Sequence, residues 1–175
     1  MAHRPAPAEY SKHPFEPYVT LVPDGPIAVT LAAQFDETRR VYEDVTEARA
    51  ACRYAPEKWS LKQVLGHLTD VERVFHYRAL ATARGDGAKL PSYDPPGYTA
   101  AADFDRLSWR DLLTDLTVVR AATVQLFEHF TPDMLARSGV VGAGERHFTV
   151  LACGFIVAGH ERHHLALIRD RYLTL

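Results

Sequence analysis

Two histidines stand four residues apart in the segment His160-Glu161-Arg162-His163-His164, and a third, His67, lies far upstream. On a helix, an i, i+4 pair projects from one face about one turn apart, close enough to chelate one divalent cation. His67 falls in a second helical pattern, Leu65-Gly66-His67-Leu68-Thr69-Asp70, again on the apolar side. Imidazoles aimed at a core are costly to keep there unless a metal or a proton network satisfies them. A lone histidine on such a stripe reads as a core residue bonded to a carbonyl. Three of them, on two helices, read as ligands of one metal.

His160-Glu161-Arg162-His163-His164 also matches H-E-x-x-H, the zinc-protease pattern in which the glutamate activates water. That reading needs a third ligand downstream. The metzincin positions are occupied here by Leu167 and Asp170, on a helix with no glycine to turn it. Only eleven residues follow His164, too few to bring a glutamate in from another helix. Nor does the sequence show a strand that would hold a peptide. The protease reading is set aside.

His163 is rotated about 100° from His164 and cannot join the same chelate on a straight helix. It belongs behind the ligands or at a pocket edge. Asp70 and Glu72 lie near His67 and, like Glu161, are candidates to orient a ligand ring; a solvated helix face explains the first two equally well. Cys153 is two turns before His160, too far to share a metal, and reads as core. His3, His13, His76, His129 and His147 have no partner at ligand spacing and read as surface or loop residues.

The elements that must carry these residues are helical. Residues 1–26 hold prolines at 5, 7, 14, 17, 23 and 26, and read as an extended arm without regular helix, lying against the domain formed by 27–175. From Ile27 a three- and four-residue rhythm (Ile27, Leu31, Phe35, Thr38, Tyr42, Val45) predicts one helix to about Ala51. Ser60 with Gln63 forms a capping box, and Trp59 with Val64 a hydrophobic staple, at the start of a second helix that fades at Gly85-Asp86-Gly87. A loop with Pro91, Pro95, Pro96 and Gly97 follows, long enough to cover one bundle end and shape a pocket. Ser108 opens a third helix, which stops before Pro132. Residues 132–148 read as a short turn of helix and a glycine-rich loop (Gly139, Gly142, Gly144). A last helix begins near Thr149, with Val150, Cys153, Val157, His160, His164 and Leu167 on one face. Four amphipathic helices and no repeat predict an all-α four-helix bundle.

Composition narrows the function classes. The chain has 175 residues, 47% hydrophobic and 24% charged, with a net charge of -2, as expected of one ordinary folded domain. Its arginines are scattered among acids, so no nucleic-acid footprint is expected. No apolar run is long enough for a membrane span, and residues 1–26 lack a signal-peptide core. Two cysteines make no disulfide framework, and a reducing cytoplasm is expected.

The run Trp59-Ser60-Leu61-Lys62-Gln63-Val64-Leu65-Gly66-His67-Leu68-Thr69-Asp70, followed downstream by Gly159-His160-Glu161-Arg162-His163-His164, resembles the DinB-like metal-binding superfamily. Within it, the branch that includes bacillithiol S-transferases is most similar. The likeness spans residues 27–173. It implies a four-helix bundle in up-up-down-down order, often paired as a homodimer. It also implies a divalent cation, zinc or nickel, on His67, His160 and His164, with open positions for water or substrate. The implied activity is transfer of a low-molecular-weight thiol to an electrophile, or a thiol-assisted isomerisation. Small-molecule partners are therefore expected. Arg78, Arg162 and Arg171 are candidates to hold cofactor carboxylates, and Tyr93 and Tyr98 to line the pocket. Two other readings stay open: a non-catalytic metal-binding or stress-response protein, and a metal-dependent hydrolase.

Overall fold

A computed structural model describes residues 3–10, 15–142 and 146–174. Its α-helices are α1 (Glu16–Val19), α2 (Ile27–Glu43), α3 (Glu47–Ala50), α4 (Leu61–Ala83), α5 (Pro95–Ala102), α6 (Trp109–Glu128), α7 (Pro132–Ala136) and α8 (Val150–Leu167). The strands β1 (Ser138–Val141) and β2 (Arg146–Thr149) pair antiparallel, with Ser138 opposite Thr149.

Local chemistry sets most boundaries. Both halves of the capping box at α4 are present: the Gln63 amide N–H donates to Ser60 Oγ (3.1 Å) and the Ser60 N–H to Gln63 Oε1 (2.9 Å). Ser108 and Thr149 cap α6 and α8 in the same first half-step. The helix expected over 27–51 breaks after Glu43, because Thr46 caps a separate turn, α3. Residues 1–26 are not wholly extended: among the described residues, Pro7–Tyr10 form a 3-10 turn and α1 a single α-turn. Pro17 is tolerated there because the first helical turn has no N–H partner to lose. The proline loop contains α5, again with prolines at its start. The glycine-rich stretch forms the β1–β2 hairpin, which Leu90 extends by donating to Val140 O (2.9 Å). Gly144 and His13 lie outside the described residues.

The four long helices pack in the ring α2–α6–α4–α8. Contacts along their lengths give their directions. Trp109 at the start of α6 donates to Tyr42 O at the end of α2 (2.9 Å), and Arg120 reaches Leu31 O (3.3 Å), so α2 and α6 are antiparallel. Lys62 donates to Leu107 O (2.7 Å), just before α6, and His76 meets Thr123 (3.4 Å), so α4 and α6 are parallel. His67 meets His160 while Arg78 faces Cys153, so α4 and α8 are antiparallel. In chain order the directions are up, down, down, up. The bundle has the two parallel pairs expected, but they are α4 with α6 and α2 with α8. The four-helix bundle stands as expected, but its parallel pairs are the second with the third long helix and the first with the fourth, where up-up-down-down would pair the first with the second and the third with the fourth.

The last helix departs from the amphipathic pattern. Ala152 through Glu161 are buried without interruption. A helix apolar around its circumference belongs inside, and α1 covers the side that the bundle leaves open. Gly159 permits this approach, since a Cβ there would lie 2.0 Å from Tyr18 O.

The apolar core forms two compartments, one around Leu31, Phe75, Phe127 and Cys153, the other around Tyr42, Leu65, Leu116 and Ile168. Between them lies a polar layer. Arg120, only 2% exposed, donates through Nε and Nη2 to the two carboxylate oxygens of Glu72 (2.8 and 2.9 Å). Its Nη1 donates to Glu161 Oε2 (2.9 Å). Gln34 Nε2 donates to the same Glu161 oxygen and to Ala158 O (2.9 Å). Burial opposes the charge on Arg120, but Glu161 and Glu72 more than offset it and raise its pKa.

Two substitutions test this frame. Arg120→Met leaves two buried carboxylates without a counter-charge and should lower unfolding stability by about 3–5 kcal/mol in denaturant titration. Gly159→Ala should cost about 1–3 kcal/mol, by forcing α1 off α8. An exposed control, Val29→Ala, should stay within about 0.5 kcal/mol. Arg120→Met matching that control would show that the layer contributes nothing to stability.

Candidate metal centre

His67 projects from the second turn of α4, and His160 and His164 from the second half of α8, His164 in its last turn. The capping box fixes where α4 begins. Gly66 lets the Phe104 ring lie flat against the helix beside His67, where a Cβ would meet that ring at 2.5 Å. Trp59, immediately before the cap, places its ring 4.9 Å from that of His67. On α8, the Tyr18 ring meets both His160 and His163 edge-on at 5.3 Å. The ligand candidates are thus walled by one aromatic residue from each flanking segment.

The three Nε2 atoms converge. His160 Nε2 is 3.2 Å from His67 Nε2 and 3.1 Å from His164 Nε2. Tetrahedral coordination with bonds of about 2.0–2.1 Å sets ligand nitrogens about 3.3 Å apart, so the spacing fits one small divalent cation. His67 and His160 are 7% and 8% exposed, and His164 is half-buried. Burial brings the pKa of His67 down to about 4. It also brings His164 down to about 3, with help from His67 and His163. His160 is lowered well below the usual range, by burial first and then by its three histidine neighbours. The rings are therefore neutral near pH 7, as metal ligands must be. His164 Nδ1 is buried without a protein partner among the described residues. Beneath the rings, Glu72, Arg120, His160 and Glu161 line one small void, where two carboxylates face one guanidinium. Neutral nitrogen donors above a layer with excess negative groups suit a cation.

The other expected residues divide. Glu161 turns into the polar layer, to Arg120 and Gln34, and does not face the histidines' open side. Asp70 pairs with Arg73 at 3.3 Å; burial raises its pKa ahead of the opposing effect of Arg73. His163 is exposed at the pocket rim, its ring 5.2 Å from that of His164. Cys153 is buried in the core and free, and Cys52 is exposed and free. His76 is half-buried against Thr123 rather than a surface residue. Arg120, Gln34, Trp59 and Tyr18 were not anticipated as parts of the site. The signal for the first two was available: each is a polar residue on its helix's apolar stripe, Gln34 beside Leu31 and Phe35, Arg120 between Leu116 and Thr123.

A pocket of about 430 Å³ opens over the three histidines. Its walls come from Phe15 and Tyr18, from Trp59, from Val71, Phe75 and Arg78 on α4, and from Tyr93 and Pro95. Val141 and Arg146 of the hairpin close the far side. Among the described residues, its lining includes aromatic and basic side chains but no carboxylate.

Comparison with known proteins agrees with this fold. YfiT from Bacillus subtilis, described as a probable metal-dependent hydrolase with an unusual four-helix bundle topology, superposes with a TM-score of 0.69 at 17% identity. The match covers 97% of this chain and 91% of that one. A mycothiol-dependent maleylpyruvate isomerase superposes with a TM-score of 0.64 at 11% identity, over 88% of this chain and 60% of that protein. At these identities the likeness shows a shared fold. No curated protein matches the sequence. The DinB superfamily model matches residues 30–168, from the second turn of α2 through the end of α8. The chain belongs to the DinB superfamily.

Proposed function

We propose that this protein is a metal-dependent enzyme in which His67, His160 and His164 hold one divalent cation, zinc or nickel, and a low-molecular-weight thiol is transferred to an electrophile. The observation that carries the reading is that Glu161 does not line the pocket over the histidines and turns into the core, where its Oε2 accepts from Arg120 and Gln34. A hydrolytic site of the H-E-x-x-H kind uses that glutamate as base for water. Here it is tied into the core, and Asp70 is tied to Arg73. A thiol needs no such base: a cation in the site, when bound, lowers its pKa from about 8.5 so that the thiolate is available at neutral pH.

The chain's own residues do the rest. His67, His160 and His164 present neutral nitrogens on one side and leave the pocket side free. Tyr18 and Trp59 flank the rings and limit water. Exposed His163, at the rim, passes the thiol proton to solvent. Val71, Phe75 and Ile156 supply an apolar floor for the electrophile. Two free cysteines suit a reducing cytoplasm. A second reading, hydrolysis, is favoured by the likeness to YfiT. An open pocket beside the histidines argues against a purely structural cation, whose site would be closed.

Elemental analysis of untagged protein should find about one zinc or nickel per chain, lost in His160→Ala. Holo protein should consume thiol with a model electrophile such as monochlorobimane, and the metal-stripped protein should not. Ester cleavage without added thiol would replace this reading by the hydrolytic one. Absence of metal from wild type, even after reconstitution, would overturn both.

A further inference from the structure

The pocket is chemically asymmetric along α4. Arg78 is eleven positions beyond His67, which returns it to the same helical face within about 20° and displaces it by roughly 16 Å of axial rise. Val71 and Phe75, both buried, lie between them on that face. Arg78 itself is 5% exposed. Its guanidinium is held between two rings, 5.0 Å from the Phe75 centroid and 5.6 Å from that of Tyr93. Its Nη2 donates to Pro91 O at 3.1 Å.

That contact uses one of five N–H donors. Among the described residues no carboxylate pairs with Arg78. Burial lowers its pKa, Cys153 and Tyr93 oppose that fall, and Arg146, a second cation lining the same pocket from the hairpin side, adds to it. A buried guanidinium without an anion is costly, and fully buried arginines are normally paired. Arg120 in the same bundle shows the paired case, with a carboxylate on each side. Arg78 has instead two aromatic clamps that fix its fork, one carbonyl, and a pocket in front of it.

We infer that this end of the pocket receives a carboxylate, and that the small molecule acted on at the metal centre is an organic acid. Its carboxylate pairs with the fork of Arg78, its apolar middle lies over Val71 and Phe75, and its reactive end reaches the histidines. A single negative charge matches the single buried cation, and a planar carboxylate matches the guanidinium bidentately. Arg146, exposed at the mouth, assists entry of the anion.

The inference rests on the proposed function for one end of the molecule only, and the two can be tested apart. Cobalt-substituted holo protein is titrated with mercaptohexanoate and with mercaptohexanol, following the cobalt visible spectrum. The same protein is titrated calorimetrically with phenylbutyrate and with phenylbutyramide, which carry no thiol. The acid should bind about tenfold more tightly than its neutral partner in each pair. Arg78→Met should abolish that preference, bringing the affinity for each acid down to that for its neutral partner. Arg78→Lys, which keeps the charge but not the fork, should retain part of it. Equal affinity within the wild-type pairs would overturn the inference, whether or not the variants fold. So would a preference surviving in folded Arg78→Met. A cobalt spectrum unmoved by either thiol would count against the thiol reading alone, and the phenylbutyrate pair would then decide the carboxylate.

Discussion

The bundle is organised around one buried guanidinium held between two buried carboxylates. Arg120 of α6 bridges Glu72 of α4 and Glu161 of α8, and Gln34 of α2 completes the layer. Every long helix contributes a polar group to it. Apolar stripes can slide past one another at modest cost, because one leucine contact substitutes for another. A forked donor with two carboxylates cannot slide, since displacement leaves charge buried and unpaired. The layer therefore sets the axial register of all four helices, and with it the register of His67 against His160 and His164.

That register also explains why the glutamate of a protease-like motif points away from the pocket over the three histidines. Successive helical residues are rotated by about 100°, so His160 and His164 share a face that Glu161 cannot share. In α8, buried through Glu161, the face next to the ligands looks into the core. Glu161 accordingly points into the polar layer, where its Oε2 accepts from Arg120 and Gln34. The same geometry sets groups of negative charge beneath neutral imidazoles, so the layer that locks the bundle also makes the space above it suited to a cation.

How much of this was legible in the sequence follows from which interactions are local. The starts of α4, α6 and α8 were readable because a cap is written within a few residues. The histidine cluster was readable because i, i+4 spacing and an apolar stripe together restrict where a ring can point. The burial of α8 on all sides was not, since it depends on α1 reaching across to Gly159 from a proline-rich segment. The hairpin was hidden by glycines that look like loop, and by a four-residue pairing too short for an alternation signal. Arg120 and Gln34 were not legible because their partners, Glu72 and Glu161, lie far away in the chain. Helix direction cannot be read from amphipathicity at all: a stripe faces the core equally well pointing either way.

Direction, however, shapes the pocket. An antiparallel neighbour needs only a short turn, whereas α4 and α6 run parallel, so the chain must travel back along roughly 34 Å of α4 before α6 can start. The return segment holds α5 and passes Pro91, Ser92 and Tyr93 over the same face of α4 that carries His67 and Arg78. Tyr93 then clamps Arg78, Leu90 ties the segment to the hairpin, and the hairpin supplies Val141 and Arg146 to the opposite wall. A bundle with alternating directions would leave this face to solvent at its ends. The down-down step in the middle of the chain makes a long covering connection obligatory, and places it over the pocket that runs from the histidines to Arg78.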